Sequence, residues 1–214
     1  MNQNRGTAPG PGAFNRRKEP VIKIIGGEFR GRNILASPGK TTRPMTAMVK
    51  KSLFDTLAPY MIDANVADIY CGTGTIGLEA LSRGARLCHF AEMDRHALDL
   101  LRRNIETLNV AGSSVIWAGD VVRRLRQWLD EMKKPLDLVF VDPPFPAVRE
   151  WDWSAVQETI FDPLAAKMSA GGLVALRLPA ETDHPENIGD LQLARTKHYG
   201  GMKVLLLERA DKET

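Results

Sequence analysis

Asp68-Ile-Tyr-Cys-Gly72-Thr-Gly74-Thr-Ile-Gly77 carries the end of an apolar run that begins at Val66 into the stretch Leu78-Glu-Ala-Leu-Ser82. A short β-like run, a glycine turn and a helix start form the setting in which GxGxxG binds a nucleotide-type ligand. Glycine permits the tight turn and a close approach to the backbone, and the free N–H groups of a helix start favour an anionic group. Glu92 closes the next β-like run, 20 residues after Gly72. A carboxylate at that place can accept both ribose hydroxyls of an adenosine. The competing reading is that Gly72, Gly74 and Gly77 serve helix–strand packing alone.

Beyond this turn the chain alternates short β-like runs with amphipathic helical stretches, the pattern of a parallel sheet covered on both faces. Strands are expected at 66–71, 87–92, 114–117, 136–142, 172–178, 191–197 and 202–208. Only the loop around Tyr199-Gly200-Gly201 separates the last two, so they should form an antiparallel hairpin at the sheet edge. The fold class is therefore α/β and Rossmann-like, with seven mostly parallel strands and a small N-terminal β-hairpin extension.

Three features bear on which cofactor the glycine loop would hold. Asp68 precedes Gly72 by four residues and can anchor either the loop or the amino acid end of a zwitterionic cofactor. Gly119-Asp120-Val121 follows the third strand, where a side-chain acceptor and a backbone N–H could read an adenine edge. The third is Asp142-Pro143-Pro144-Phe145, delivered by the apolar strand Leu136–Val141 to the carboxyl edge of the sheet, where open α/β folds bind ligands. Two prolines stiffen the turn and bias Asp142 toward an extended backbone. The Asp142 carboxylate and the Pro143 carbonyl can then accept the two N–H bonds of an exocyclic base amine and aim its lone pair at a methyl sulfonium. Phe145 offers a face on which a flipped base can stack. A plain strand-to-loop turn is the structural alternative.

The 214 residues are 43% hydrophobic and suit one catalytic domain with a small attachment. No apolar stretch approaches the roughly 20 residues of a membrane helix, and no apolar signal core opens the chain. The two cysteines, Cys71 and Cys88, lack metal or disulfide spacing, which fits a cytoplasmic protein without a metal. The net charge of +3 is unevenly spread, with residues 1–60 carrying +8 and the remainder −5. Such asymmetry reads as a footprint for a polyanion, or as a solvated basic tail.

Residues 1–19 are expected to be a disordered tail, being poor in large apolar groups. Residues 20–60 are expected to form a basic, RNA-placing unit: runs Val21–Ile25 and Phe29–Leu35 joined through Gly26 and Gly27 as a hairpin, then a helix entered at Pro44. Met45, Val49, Leu53 and Leu57 recur along that helix at helical spacing. Arg30 and Arg32 would lie on one face of the second strand, with Lys40 and Arg43 further along. Residues 61–214 are expected to be the methyltransferase domain.

Taken together, these residues resemble the bacterial small-subunit ribosomal RNA guanine-N2 methyltransferases. The likeness runs through Ile24-Ile-Gly-Gly-Glu-Phe-Arg-Gly-Arg32, Arg43-Pro44, Ser52-Leu-Phe54, Gly72-Thr-Gly74, Gly77-Leu-Glu-Ala-Leu-Ser-Arg-Gly84, Glu92-Met-Asp94 and Asp142-Pro-Pro-Phe145, and it ends with Tyr199-Gly200. It implies the class I methyltransferase sheet, S-adenosylmethionine as cofactor, and N2-methylguanosine in 16S RNA as product. Ribosomal RNA, within a partly assembled small subunit, is the implied partner. After Arg43-Pro44 the family usually continues Thr, Thr or Ser, an acid and a base; here stand Met45, Thr46, Ala47 and Met48. Arg43 is thus open between a phosphate or cofactor contact and a capping or surface role.

Packing is the expected role of Trp151, Trp153, Met45 and Met48, and a solvated helix face that of Arg123, Arg124 and Arg126. Other function classes remain in view. Asp-Pro-Pro-aromatic loops also serve adenine, cytosine and protein glutamine amides. A nicotinamide-dependent oxidoreductase would give Asp142–Phe145 no task, and a non-catalytic RNA-binding protein would need neither the loop nor the acids.

Overall fold

The computed structural model describes residues 19–38 and 45–210. The expected tail, Lys40, Arg43 and Pro44 lie outside the described residues, apart from Glu19 at the tail's end. In chain order, β1 (Val21–Lys23) and β2 (Asn33–Leu35) make an antiparallel pair, followed by α1 (Ala47–Leu57). The main body alternates β3 (Asn65–Ile69), α2 (Gly77–Ser82), β4 (Leu87–Glu92), α3 (Arg95–Leu108), β5 (Ser114–Ala118), α4 (Val121–Asp130) and β6 (Leu136–Val141). Three short helices, α5 (Phe145–Val148), α6 (Trp153–Val156) and α7 (Asp162–Lys167), lead to β7 (Met168–Pro179), β8 (Asn187–Ile188), β9 (Leu191–Tyr199) and β10 (Met202–Arg209).

The sheet order is β5-β4-β3-β6-β7-β10-β9-β8. The first five strands are parallel, and β10 pairs antiparallel with both β7 and β9. Seven of the eight strands answer the sequence expectation. The eighth is the two-residue β8, which adds to the edge of β9 and is too short to leave a hydrophobic period in the sequence. Among the described residues no helix is long and apolar enough to cross a membrane.

Period-two alternation explains how the sheet is covered on both faces. Val66, Leu138, Phe140 and Leu206 point into one cluster with Leu53, Phe54, Leu78 and Leu101, on the side of α1, α2 and α3. Ala67, Val139, Val141 and Leu205 point into the other, with Leu125, Trp128, Phe161 and Leu164 from α4 and α7 and the turn before α7. Trp151 and Trp153 meet edge to face at 5.4 Å and pack against this second cluster, the packing role expected of them. Arg123, Arg124 and Arg126 lie exposed on α4.

The N-terminal part departs from expectation in three ways. Phe29–Leu35 is not one strand: only Asn33–Leu35 pairs, because residues 24–32 spend their backbone groups on turns and on α2. Glu28 and Phe29 donate to the carbonyl and hydroxyl of Ser82, Ile25 donates to Glu79, and the Ser82 hydroxyl donates to Gly26. Arg30 and Arg32 therefore sit in the connection and not on a strand face. Helix α1 starts at Ala47, where Thr46 supplies the N-cap by accepting the Val49 amide. Met45 packs on the core, whereas Met48 is 82% exposed and is not a core residue, since it falls on the outer side of the helix from Lys50, Leu53 and Leu57.

Candidate active site

Strand order reverses between β3, which is flanked by β4, and β6, which continues to β7. A crevice outside the carboxyl ends of such neighbours is where open α/β sheets receive ligands. The glycine loop leaves β3 on one side of it, and Asp142 leaves β6 on the other, its amide donating to Ile69 at 3.1 Å.

Asp68 is fully buried, and its Oδ2 accepts the Gly77 amide at 2.8 Å, so the carboxylate holds the first turn of α2. Its Oδ1 is buried without a hydrogen-bond partner. Burial, with the negative charges of Asp142 and Glu92 nearby, pushes Asp68 up to about 8; the Gly77 amide and the Lys50 ammonium oppose this. Glu92 accepts three backbone amides, from Gly72 at 2.9 Å on Oε2, and from Met93 at 2.8 Å and Asp94 at 2.7 Å on Oε1. The carboxylate is thereby held at the end of β4 while staying half-exposed.

The glycines divide by role. Gly72 has φ +58 and open space where a side chain would be, while a Cβ on Gly74 would come within 2.4 Å of Leu101 Cδ1 and one on Gly77 within 2.4 Å of Phe90 Cε1. Gly74 and Gly77 thus serve close packing, and Gly72 leaves an open cradle beside Glu92. Tyr70, between Asp68 and the glycines, also has positive φ, at 65°. That conformation is strained for a bulky residue and collects at ligand sites. Asp120 caps α4 through the Val122 amide at 2.9 Å, and its charge reaches the Tyr70 hydroxyl, which burial chiefly pushes up to about 12.

In the second loop, Pro143 is buried, Asp142 and Phe145 are half-buried, and Pro144 precedes α5, giving its carbonyl to the Ala147 and Val148 amides. Asp142 Oδ1 lies 2.5 Å from Arg177 Nε. The two atoms are not aligned as a hydrogen bond, so the contact is an ion pair first. Burial raises the Asp142 carboxyl above its ordinary range, and the Arg177 charge opposes that. The Arg177 guanidinium also sits over the Phe145 ring, 5.0 Å from its centroid.

Among the sequence candidates, Asp68, Gly72, Gly74, Gly77, Glu92, Asp120 and Asp142–Phe145 all gather at the carboxyl edge of the sheet, Asp68 and Glu92 in the last residues of β3 and β4, Gly77 and Phe145 at the first positions of α2 and α5, and the rest on the loops between. Arg30 and Arg32 belong to the N-terminal hairpin: Arg30 is exposed, and Arg32 donates to the Thr107 carbonyl and stacks 5.7 Å from Phe29.

Lys50, Asn104 and Arg177 escaped the sequence reading. Asn104 donates to the carbonyls of Leu35 and Thr73, tying the hairpin to the glycine loop. Lys50 is buried with its Nζ unpartnered, facing Asp68 and Glu79. The available signals were charges out of place: Lys50 on the apolar stripe of α1, Arg177 inside the apolar run Leu173–Leu178. A charge in such a position calls for a counter-charge.

The profile of a family described as "Conserved hypothetical protein 95" matches residues 22–208. The chain is 30% identical over 188 residues to a Bacillus subtilis protein named "Putative rRNA methyltransferase YlbH", covering 88% of this chain and 99% of that one. It is 39% identical over 124 residues to the ribosomal RNA small subunit methyltransferase D of Escherichia coli K12, a match spanning 58% of this chain and 60% of that protein. Among solved structures it superposes on one described as "Putative methyltransferase yhhF from Escherichia coli", with TM-score 0.74 and 32% identity, covering 89% and 99% of the two chains.

Proposed function

Because the chain belongs to the small-subunit ribosomal RNA methyltransferase D family, we propose that it methylates the exocyclic N2 amine of a guanine in 16S ribosomal RNA. The enzyme class is S-adenosylmethionine-dependent RNA methylation. The choice of guanine N2 rests on the motif likeness, and the chemistry on one observation: Asp142 and its proline-stiffened loop face the glycine loop across the crevice where the strand order reverses.

The chain's residues fit the cofactor. The open cradle at Gly72, the orphaned Oδ1 of Asp68 and the half-exposed Glu92 offer partners for a zwitterionic amino acid end and a ribose. Asp120, close enough to Tyr70 for its charge to be felt there, would offer an acceptor to the adenine. S-adenosylmethionine supplies an electrophilic methyl on a sulfonium when bound.

On the acceptor side, an exocyclic amine is a weak nucleophile because its lone pair is delocalised into the base. Asp142 and the Pro143 carbonyl accept its two N–H bonds, which turns the nitrogen lone pair out of conjugation and fixes its direction. Phe145 holds the flipped base by stacking. Asp142 acts as an orienting acceptor and not a strong base, since the nitrogen proton becomes acidic only once the N–C bond has formed. The basic N-terminal unit, with Arg30, Arg32 and Arg43, contributes phosphate contacts and little sequence choice.

The deciding experiment incubates the protein and labelled S-adenosylmethionine with ribosomal RNA and with partly assembled small subunits from cells lacking the gene. Digestion to nucleosides should place the label in N2-methylguanosine, more strongly with the particles. Label in another nucleoside would keep the chemistry and overturn the acceptor; no label in either RNA would remove the function.

A further inference from the structure

Arg177 stands near the end of β7, a strand whose other inward-facing residues between Leu173 and Leu178 are apolar. Register explains what it meets. Strand β6 pairs in parallel with β7, Phe140 beside Ala175 and Val141 beside Leu176, so the next pair along is Asp142 beside Arg177, on the same face of the sheet. The Arg177 side chain is only 7% exposed, whereas the Asp142 side chain keeps 23% of its surface. One buried cation therefore touches two residues of the candidate catalytic loop: it is 2.5 Å from Asp142 Oδ1 and 5.0 Å from the Phe145 centroid.

We propose that Arg177 is a positioning residue for the acceptor base: it fixes one oxygen of Asp142 and one face of Phe145, leaving the other oxygen and the other face for the amine and the ring. The proposal rests on the reading of Asp142 as the amine acceptor. A planar, rigid guanidinium suits this double task, because its edge carries the charge-assisted contact while its plane supports an aromatic ring. It is itself held between β6 and β10 in the middle of the sheet, so the loop is braced from a rigid element. Stability alone does not account for such a residue, since a buried ion pair gains little over an apolar side chain of similar size.

The charge has a second consequence. From β3, Asp68 lies near Asp142 but holds its own proton up to about pH 8; from α1 comes Leu53, and from the residue before its cap Met45, both bringing apolar surface to the cavity that Asp142 and Arg177 line; from β7 comes Arg177. Arg177 is the one group favouring ionised Asp142 in that set. Removing it leaves burial, which favours the protonated acid. A protonated Asp142 keeps a donor where the amine needs an acceptor.

The test measures methyl transfer to the RNA substrate between pH 5.5 and 9 for the full chain and for Arg177→Met, Arg177→Lys and Asp142→Ala, with cofactor affinity by calorimetry. Arg177→Met should lower kcat at pH 7 by about tenfold, the effect of one pKa unit. It should recover toward wild type near pH 9, with the acid limb of the profile moved to higher pH and cofactor affinity within about twofold. Arg177→Lys should keep the limb near its wild-type position and raise KM for RNA, because charge remains and the plane under Phe145 is lost. An unmoved limb in Arg177→Met, or a loss equal at every pH, overturns the proposal. If Arg177→Met does not fold, Arg177→Lys decides, and wild-type KM in that variant overturns it. Turnover by Asp142→Ala would instead refute the acceptor reading; an inactive Asp142→Ala beside an unshifted Arg177→Met removes only the role of Arg177.

Discussion

Glu92 Oε2 accepts the amide of Gly72 at 2.9 Å, joining the end of β4 to the cradle that leaves β3. The same carboxylate that would meet a ribose is thus already part of the loop's architecture. Glu92→Ala should lose both roles, weakening S-adenosylmethionine binding by about 1.5–3 kcal/mol as charge-assisted hydrogen bonds are removed. It should also lower the melting temperature of the ligand-free protein. Calorimetry with S-adenosylmethionine and with NAD checks the first point and the cofactor class together: tighter binding of NAD would exclude a methyltransferase site.

Asp142→Ala should fold, bind the cofactor and lose most turnover, because it deletes an acceptor for the amine and no cofactor contact. Phe145→Ala should act mainly on RNA capture, by about 1–3 kcal/mol of lost stacking. Single-turnover rates at saturating RNA separate the two, since the Phe145 defect should shrink at saturation and the Asp142 defect should persist.

Asp68 carries a pH signature. Its carboxyl, ordinarily near 3.8, sits at about 8 in the fold, chiefly through burial. Between those values the folded chain holds a proton that the unfolded chain has released, so the ligand-free fold loses stability as pH rises from about 4 to 8. Asp68→Asn keeps an acceptor for the Gly77 amide and removes the ionisation. Its stability relative to wild type should grow across that window, reaching about 1–3 kcal/mol at pH 8. Chemical unfolding at pH 5 and pH 8 reads this out, and an equal difference at the two values would contradict it.

His89 works in the opposite sense. Buried against Trp117 at 4.7 Å, with Nε2 3.1 Å from Asn65 Oδ1, its imidazole is pushed down to about 4, first by burial and then by Arg86. The fold favours the neutral ring, so this contribution is complete above pH 6.5 and is lost as pH falls toward 4. His89→Phe should flatten the acid side of the stability curve by about 2–3 kcal/mol between pH 7 and pH 4. An unchanged curve would mean that the ring's protonation does not govern acid unfolding.

The two hairpin arginines should separate. Arg30 is exposed, whereas Arg32 is tied to the Thr107 carbonyl and to Phe29. Arg30→Ala should weaken RNA binding and reduce the salt slope of log K by roughly 0.7–0.9, with stability unchanged. Arg32→Ala should in addition lower the melting temperature. Equal salt slopes for wild type and the double variant would leave the basic charge of this region as a solvated surface.

Much of the site could be read along the chain because its chemistry comes in contiguous pieces. Asp68–Gly77 and Asp142–Phe145 each sit where an apolar strand ends, and the period-two and helical patterns around them fixed which ends face the crevice. The N-terminal region was less legible. Phe29–Leu35 has the composition of a strand, yet Phe29 bonds to Ser82 and Arg30–Arg32 close turns onto Gly27, Ile24 and Phe29, leaving Asn33–Leu35 to pair, since local propensity yields to available partners. Met48 read as core by type and proved exposed by helical phase.

What the sequence alone determined, then, is the sheet with its helices, the glycine cradle, Glu92 at 20 residues' remove and the Asp142 loop, all local patterns backed by resemblance. Only the tertiary structure decided the partners: Arg177 beneath Asp142 and Phe145, Lys50 facing Asp68, and Asn104 between the hairpin and Thr73. These partners stand from 18 positions apart, for Lys50 and Asp68, to 69 apart, for Leu35 and Asn104. Strand register and helix docking, which bring such groups within a few ångströms, are settled by burial of both sheet faces together and leave no periodic trace at the positions themselves.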